Sequence, residues 1–98
     1  MKVVEGGVIR RTTEDKLWNM RVGVIKFNSV GPQQTPGVGA EGVLEIASDM
    51  HMPGQWTPYE AGEELRYEAS NSNNTTIFEV VHERGPYKYD VRVTVPPG

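Results

Sequence analysis

The chain has 98 residues, of which 37% are hydrophobic and 23% are charged, and its formal net charge is −3. This length and composition predict one folded domain, 1–98, and argue against a disordered chain. The acidic balance argues against a protein that binds nucleic acids mainly by neutralising phosphates. Because cysteine is absent, disulfides, zinc–thiolate sites and cysteine nucleophiles are excluded.

The first eleven residues predict a strand with a bend in it. Gly6 and Gly7 interrupt the apolar residues of this stretch, and a glycine pair inside a strand is typical of a β-bulge. We therefore expect residues 1–11 to form an edge strand, or alternatively an N-terminal arm that orders against a partner. The stretch lacks the apolar run of a secretion signal, and no segment is long enough to cross a membrane. We therefore expect a protein of the cytoplasm or of an assembled particle.

Residues 12–27 predict a short helical turn followed by a second strand. The turn would span residues 12–19, with Thr13 as its N-cap and Trp18 packed against the end of the core. In the strand, 20–27, Gly23 indicates a bend or a close approach of two backbones. The apolar side chains of this strand divide between its two faces, with Met20, Val22 and Val24 on one and Ile25 and Phe27 on the other.

Two long segments rich in proline and glycine, 28–41 and 49–63, separate the next strands. In the first of them only Val30 and Val38 are suited to burial. Loops of this length are uncommon in small domains and often carry function. The pattern favours a mobile loop for segment 28–41, with an extended arm that reaches a neighbouring subunit as the alternative.

Four more strands are predicted, and the strongest pattern belongs to the last of them. In 42–48, Leu44 and Ile46 would face the core. Residues 87–95 alternate apolar and polar side chains at nine successive positions. A strand sends successive side chains to opposite faces, so a single dry face should contain Tyr87, Tyr89, Val91, Val93 and Val95. The short polar connections between this strand and its two predecessors indicate an antiparallel meander of 65–69, 76–82 and 87–95.

About six short strands, together with 11 glycines and 7 prolines, indicate an all-β fold. We predict a small single-domain antiparallel β-sandwich or barrel with two long loops. The pattern of side chains does not distinguish the sandwich from the barrel.

The sequence offers little catalytic chemistry. His51 lies near Asp49 and could bind a metal or transfer protons, but no second histidine lies nearby, and a metal site needs several converging ligands. Ser48 adds the third residue type of a nucleophile triad, without the glycine-flanked turn that such a nucleophile requires. We therefore predict no enzymatic activity and no cofactor. A small enzyme or metal-binding domain around Asp49 and His51 is kept as a second alternative.

Basic residues in the first quarter of the chain support a different alternative, a small OB- or SH3-like nucleic-acid-binding protein. Acidic residues are interleaved with these basic ones, and most aromatic residues fall on the predicted core faces, which weakens the case. The residues that would contact phosphates are Arg10, Arg11, Lys16, Arg21 and Lys26.

Protein–protein association is the favoured hypothesis. Methionine and aromatic side chains are enriched at interfaces, and segment 49–63 carries four of them. We predict a non-catalytic structural or assembly subunit, such as a coat, decoration or adaptor component of a virion-like particle, bound to copies of itself or to other subunits. The alternative is that the loop side chains fold back and cap an open end of the β core. The predicted contact residues are Gln33, Gln34, Met50, Met52, Trp56 and Tyr59.

Overall fold

Antiparallel strands close into a six-stranded barrel in the computed structural model, which describes residues 1–13, 20–47, 57–68 and 75–97. The all-β prediction is confirmed, and of its two architectures the barrel is the correct one. The strands are β1 (Lys2–Arg11), β2 (Arg21–Phe27), β3 (Glu41–Ile46), β4 (Glu64–Glu68), β5 (Thr75–Gly85) and β6 (Lys88–Val95).

The order of strands around the barrel is β1-β2-β3-β6-β5-β4, and β1 closes the barrel by pairing with β4. The spatial order β4-β1-β2-β3 is that of a Greek key, in which three consecutive strands are joined in sequence and the fourth returns beside the first. β1 is paired on both sides, with β2 and with β4. Residues 8–11 therefore lie within the wall, while residues 2–4 pair with β2 alone among the described residues, and the stretch is a strand of the barrel and not a loose arm.

Alternating burial along each strand separates the core from the solvent. Leu44 and Ile46 are buried as predicted, and the core also takes Ile25 and Phe27 from the inward face of β2. In β6 the predicted dry face is confirmed for its three central residues, Tyr89, Val91 and Val93.

The prediction for β6 is wrong at both ends of the pattern. Tyr87 has a positive φ of 60° and belongs to the turn before β6, and its side chain is exposed. Val95 is also exposed, because β6 reaches the rim of the barrel there. Alternation predicts which side of a strand is apolar, but a strand that runs past the core exposes both sides.

Two predicted glycine features are confirmed. The register of β1 against β2 shifts by one residue between Val4 and Gly7, and Gly6 has a φ of 83°, which is the backbone of a β-bulge. A Cβ on Gly23 would lie 2.6 Å from the Ile9 side chain and 2.9 Å from the Glu45 carbonyl oxygen. Gly23 thus permits a close approach of neighbouring strands.

The barrel has two ends, which differ in what covers them. We call one the crossover end (residues 11–13, 57–63 and 82–89), because residues 57–63, the described part of the connection from β3 to β4, lie there. We call the other the terminal end (residues 1–4, 28–40 and 93–97), where β1 begins and β6 ends. Of the predicted helical turn, only Thr12 and Thr13 lie within the described residues, and they form a turn.

Candidate functional site

Arg11 closes the crossover end. It points into the barrel and is only 8% exposed. Its guanidinium donates to the Glu63 carboxylate at 2.8 Å and to the carbonyl oxygens of Thr57 and Pro58 at 2.8 and 3.1 Å. The same group lies 4.7 Å from the centre of the Tyr59 ring, within the range of a cation–π contact. One buried cation therefore holds the described part of the crossing connection onto its own barrel.

Tyr59 is part of the contacts that close the crossover end. Its side chain is only 3% exposed, its ring packs 5.1 Å from that of Tyr89, and its backbone N–H donates to the Tyr89 hydroxyl at 3.3 Å. For Tyr59 the structure therefore agrees with the alternative prediction, in which the loop side chains fold back and cap an open end of the β core. A side chain buried to this degree would need a rearrangement before it could contact a partner.

Burial also changes the acidity of the tyrosine beneath it. Loss of solvent raises the pKa of Tyr89 to about 12, opposed by the hydrogen bond from the Tyr59 N–H and reinforced by the nearby Glu83 carboxylate. The folded state therefore holds this phenolic proton more tightly than the unfolded chain, whose tyrosine titrates near pH 10. The resulting stability is fully present below pH 10 and is lost as the pH rises through about 12.

We expect Tyr89→Phe to remove this pH dependence. At pH 7 the variant should be about 1 kcal/mol less stable, because the Tyr59 N–H loses its acceptor. Between pH 10 and 12 the wild type should lose about 2–3 kcal/mol that the variant does not lose, so the difference should shrink or reverse. Urea unfolding at pH 7, 10 and 11.5 measures both quantities. A constant difference across this range would contradict the assigned pKa.

The outer wall of the barrel carries charges that are paired with one another. Side chains of opposite sign alternate on neighbouring strands, so this wall offers no uniform field to a polyanion. Exposed pairs of this kind add little stability. The pairs are Arg10–Glu68, Lys26–Glu45, Lys88–Glu45, Arg92–Glu41 and Arg84–Asp90.

The basic residues considered for nucleic-acid binding do not form a common surface within the described residues. Arg11 and Arg21 are buried, and Arg21 donates to the Met20 carbonyl oxygen at 2.9 Å. Arg10 and Lys26 belong to the charge pairs of the wall. Lys16 lies outside the described residues.

The terminal end carries most of the exposed apolar surface. Val38 is 72% exposed, Val95 48% and Val3 43%, and Met1 at this end is also exposed. Elsewhere in the described part of the chain, the exposed large hydrophobic residues are Val22 and Tyr87, both at the opposite end. A concentration of exposed apolar side chains at one end of a domain favours that end as a surface that other molecules cover.

The Val38 side chain projects into solvent because the residue lies in a turn that is closed by backbone hydrogen bonds. The Ala40 N–H donates to the Gly37 carbonyl at 3.1 Å, and Gly39 has a φ of 88°, the pattern of a type II turn with Val38 at its second position. The Gly39 N–H then donates to the Val93 carbonyl, and the Val93 N–H to the Ala40 carbonyl. We predicted burial of both apolar residues of this segment, which is correct for Val30 and wrong for Val38.

The rest of this loop is tied to the same chain. The Gln34 side-chain oxygen accepts from the Gly31 N–H at 2.8 Å, and Lys2 Nζ donates to the Pro32 carbonyl at 3.3 Å. Gln33 is exposed. Gln34 therefore closes the loop by accepting this hydrogen bond. The contact of both glutamines with a partner remains a prediction.

A cavity of about 200 Å³ opens into the barrel at the terminal end. Its walls are mainly apolar, with Thr35 and Thr76 among them, and Lys2 is the charged residue of the described lining. No pattern in the sequence pointed to this cavity, because it is formed by side chains from strands distant in the chain. Its apolar lining comes from Val4, Ile25, Phe27, Pro36, Tyr67, Phe78 and Pro97.

The remaining predicted site residues lie outside the described residues. These are Met50, Met52 and Trp56 of the association hypothesis and Asp49 and His51 of the metal or enzyme alternative. Within the described ranges, no group of three or more acidic or histidine side chains is arranged to hold a metal ion. The same ranges contain no helix long and apolar enough to span a membrane.

Comparisons with known proteins indicate no function for this chain. Any functional argument therefore depends on the geometry of the barrel. No family model matches the chain, and neither a curated protein nor a solved structure shows significant similarity to it. The class defined here is therefore structural: a small, closed, antiparallel Greek-key barrel with one capped end and one apolar end.

Proposed function

We propose that this barrel is a non-catalytic association module that binds other protein subunits through its terminal end. Such a module suits a structural or assembly component of a larger particle, of the coat, decoration or adaptor type. The observation that supports the proposal most strongly is the exposure of Val38 on a turn closed by backbone hydrogen bonds. An apolar side chain held rigidly in water loses little conformational freedom when a partner covers it.

A second, nearly identical turn supports this interpretation by contrast. Residues Glu60–Glu63 form the same hydrogen-bonded turn at the crossover end, with Gly62 at a φ of 90° and its N–H donating to the Val80 carbonyl. Its second position, which corresponds to Val38, is occupied by Ala61. The turn geometry therefore does not require a large apolar side chain. The presence of valine in the turn at the terminal end must have another cause.

The nucleic-acid alternative draws no support from the contacts of the described residues. Arg10, Arg11 and Lys26 are engaged with carboxylates of the same chain. The metal or enzyme alternative depends on Asp49 and His51 and remains a prediction from the sequence.

Val38→Asp should disrupt association. A charge at the centre of an apolar contact must lose its hydration without a partner, so we expect at least about a tenfold weaker assembly. Sedimentation of the purified protein over a range of concentrations measures it, and the wild type should exceed the monomer mass of 10.9 kDa. Circular dichroism and urea unfolding report whether the variant still folds.

Ala61→Asp is the matched control, since it introduces the same side chain at the same position of the same kind of turn. It should leave both assembly and stability unchanged. A wild type that remains strictly monomeric at all concentrations, or equal effects of the two substitutions, would contradict the proposal.

A further inference from the structure

We propose that the cavity at the terminal end binds a small amphiphile with an aliphatic chain of about eight carbons and an anionic head group. This inference goes beyond association between subunits and does not depend on it. Three properties of the cavity carry it: the division of its walls into buried and exposed parts, its volume, and the cation in the exposed part.

The lining of the cavity has a buried apolar part and an exposed polar part. The described lining comes from β1, β2, β4, β5, the 28–40 loop and Pro97. In it Phe27 and Phe78 are buried, whereas Lys2 is half-buried and Thr35 is exposed. Sites for small molecules combine an apolar interior with a few polar groups that orient the ligand. An apolar chain therefore suits the interior of this cavity, and a polar head group suits its mouth.

The volume of the cavity limits the length of that chain. An apolar cavity of about 150 Å³ can hold a benzene molecule, and this cavity measures about 200 Å³. In proportion, about eight carbon atoms would fill it. A linear chain suits the site better than a ring of equal volume, because a chain can extend from the buried walls to the mouth. Its carbon atoms would supply the van der Waals contacts that the lining of an empty cavity lacks.

Lys2 defines the charge of the head group. It lies opposite the buried Phe27 in the pairing of β1 with β2, so its side chain starts from the inward face of the barrel. Its Nζ donates to the Pro32 carbonyl oxygen at 3.3 Å, in the same loop that contributes Thr35 and Pro36 to the lining. A neutral carbonyl does not compensate the ammonium charge, whereas an anionic head group would form a stronger, charge-assisted hydrogen bond. A carboxylate and a phosphate ester both meet this requirement.

Titration of the delipidated protein with octanoate tests the site directly. We expect saturable NMR shifts of the methyl groups of Val4 and Ile25, which line the cavity, and no shift of Val43 on the outer face of β3. Octanol should bind about two- to fivefold more weakly than octanoate, the range for an exposed ion pair. Octylammonium should bind more weakly still, because its charge repels Lys2. Octyl phosphate shows which of the two anionic head groups the site prefers.

A series of chain lengths tests whether the ligand lies inside the cavity. Each added CH₂ should tighten binding by up to about fourfold. The gain should end near about eight carbons, when the cavity is full. A gain that continues through hexadecanoate would place the chain on an open surface and overturn the inference.

Two variants separate the charge from the cavity. Lys2→Met keeps the aliphatic stem and removes the ammonium group, so octanoate should bind to it no more tightly than octanol. Lys88→Met is the matched control, since Lys88 pairs with Glu45 on the outer wall at 3.9 Å, and it should leave octanoate binding unchanged. Val4→Phe places a larger side chain in the cavity and should abolish binding of every ligand in the series, with circular dichroism reporting whether the variant folds.

Lys2→Met leaves the buried lining intact, so it tests the inference even if Val4→Phe does not fold. Three results would overturn the inference: no saturable binding of octanoate below its critical micelle concentration, equal binding of octanoate and octylammonium, or equal effects of Lys2→Met and Lys88→Met. Sedimentation measures association separately, so failure of this site would leave the association proposal as it stands.

Discussion

Gly7→Ala is expected to destabilise the barrel by about 3 kcal/mol, because overpacking forces core side chains and backbone out of their preferred positions. A Cβ on Gly7 would lie 2.2 Å from the Tyr67 ring and 2.5 Å from its hydroxyl oxygen. The ring is buried, and the Gly7 N–H donates to that hydroxyl at 2.9 Å. The substitution would therefore displace an aromatic side chain and break a buried hydrogen bond together.

Urea unfolding followed by tyrosine and tryptophan fluorescence measures this loss. Gly37→Ala provides the control, because no atom lies within 4 Å of the position that its Cβ would occupy. We expect that variant to remain within about 0.5 kcal/mol of the wild type. Equal stabilities of the two variants would show that the close approach of Gly7 and Tyr67 does not exist in solution.

Arg11→Met should be similarly costly, at about 3 kcal/mol, the lower part of the range for breaking a buried ion pair. Methionine keeps an apolar chain of similar length but leaves the Glu63 carboxylate without its cation. The carbonyl groups of Thr57 and Pro58 lose their donor as well. Because the Glu63 side chain is partly exposed, water relieves some of the loss, which is why we expect the lower part of the range.

Hydrogen exchange provides a local measurement beside urea unfolding. The Gly62 N–H, bonded to the Val80 carbonyl at 2.8 Å, should exchange faster in Arg11→Met than amides of β2 and β3. Arg92→Met is the matched control: its pair with Glu41 spans 3.5 Å between two exposed side chains, and we expect a change of about 0.5 kcal/mol or less. Uniformly faster exchange across the barrel would show that Arg11 stabilises the whole fold and not the crossing connection specifically.

Both predictions concern residues whose importance could not be recognised from the sequence. Arg11 was grouped there with nearby basic residues as a candidate phosphate contact, yet it is an inward-facing cation at the end of β1. Its main partners, residues 57–63, are more than forty positions away in the chain. Charge in a sequence predicts solvent contact by default, and only the closure of the barrel brings carbonyl and carboxylate acceptors to this position.

The candidate site also contains residues whose exposure could not be predicted from the sequence. Residue type and loop context predict Tyr59 as a partner contact, with capping of the core as the alternative, and Val38 as a buried residue; Tyr59 is buried and Val38 is exposed. Tyr59 is buried because the crossing connection lays it on Tyr89, while Val38 is exposed because a turn bonded to Val93 lifts it from the core. Loop residues do not follow the periodicity of a strand, so their exposure depends on neighbours that the local sequence does not reveal.

Local periodicity by itself determined that this chain is built of β-strands, where most of them lie, which faces of β3 and β6 are dry, and that Gly6 and Gly7 interrupt a strand. These features depend on residues within a few positions of one another, because side chains alternate along any extended backbone. Only the tertiary structure decided between barrel and sandwich, paired β1 with β4, opened the cavity at the terminal end and capped the opposite one. Those outcomes depend on contacts between residues far apart in the chain, and alternation contains no information about which strands become neighbours.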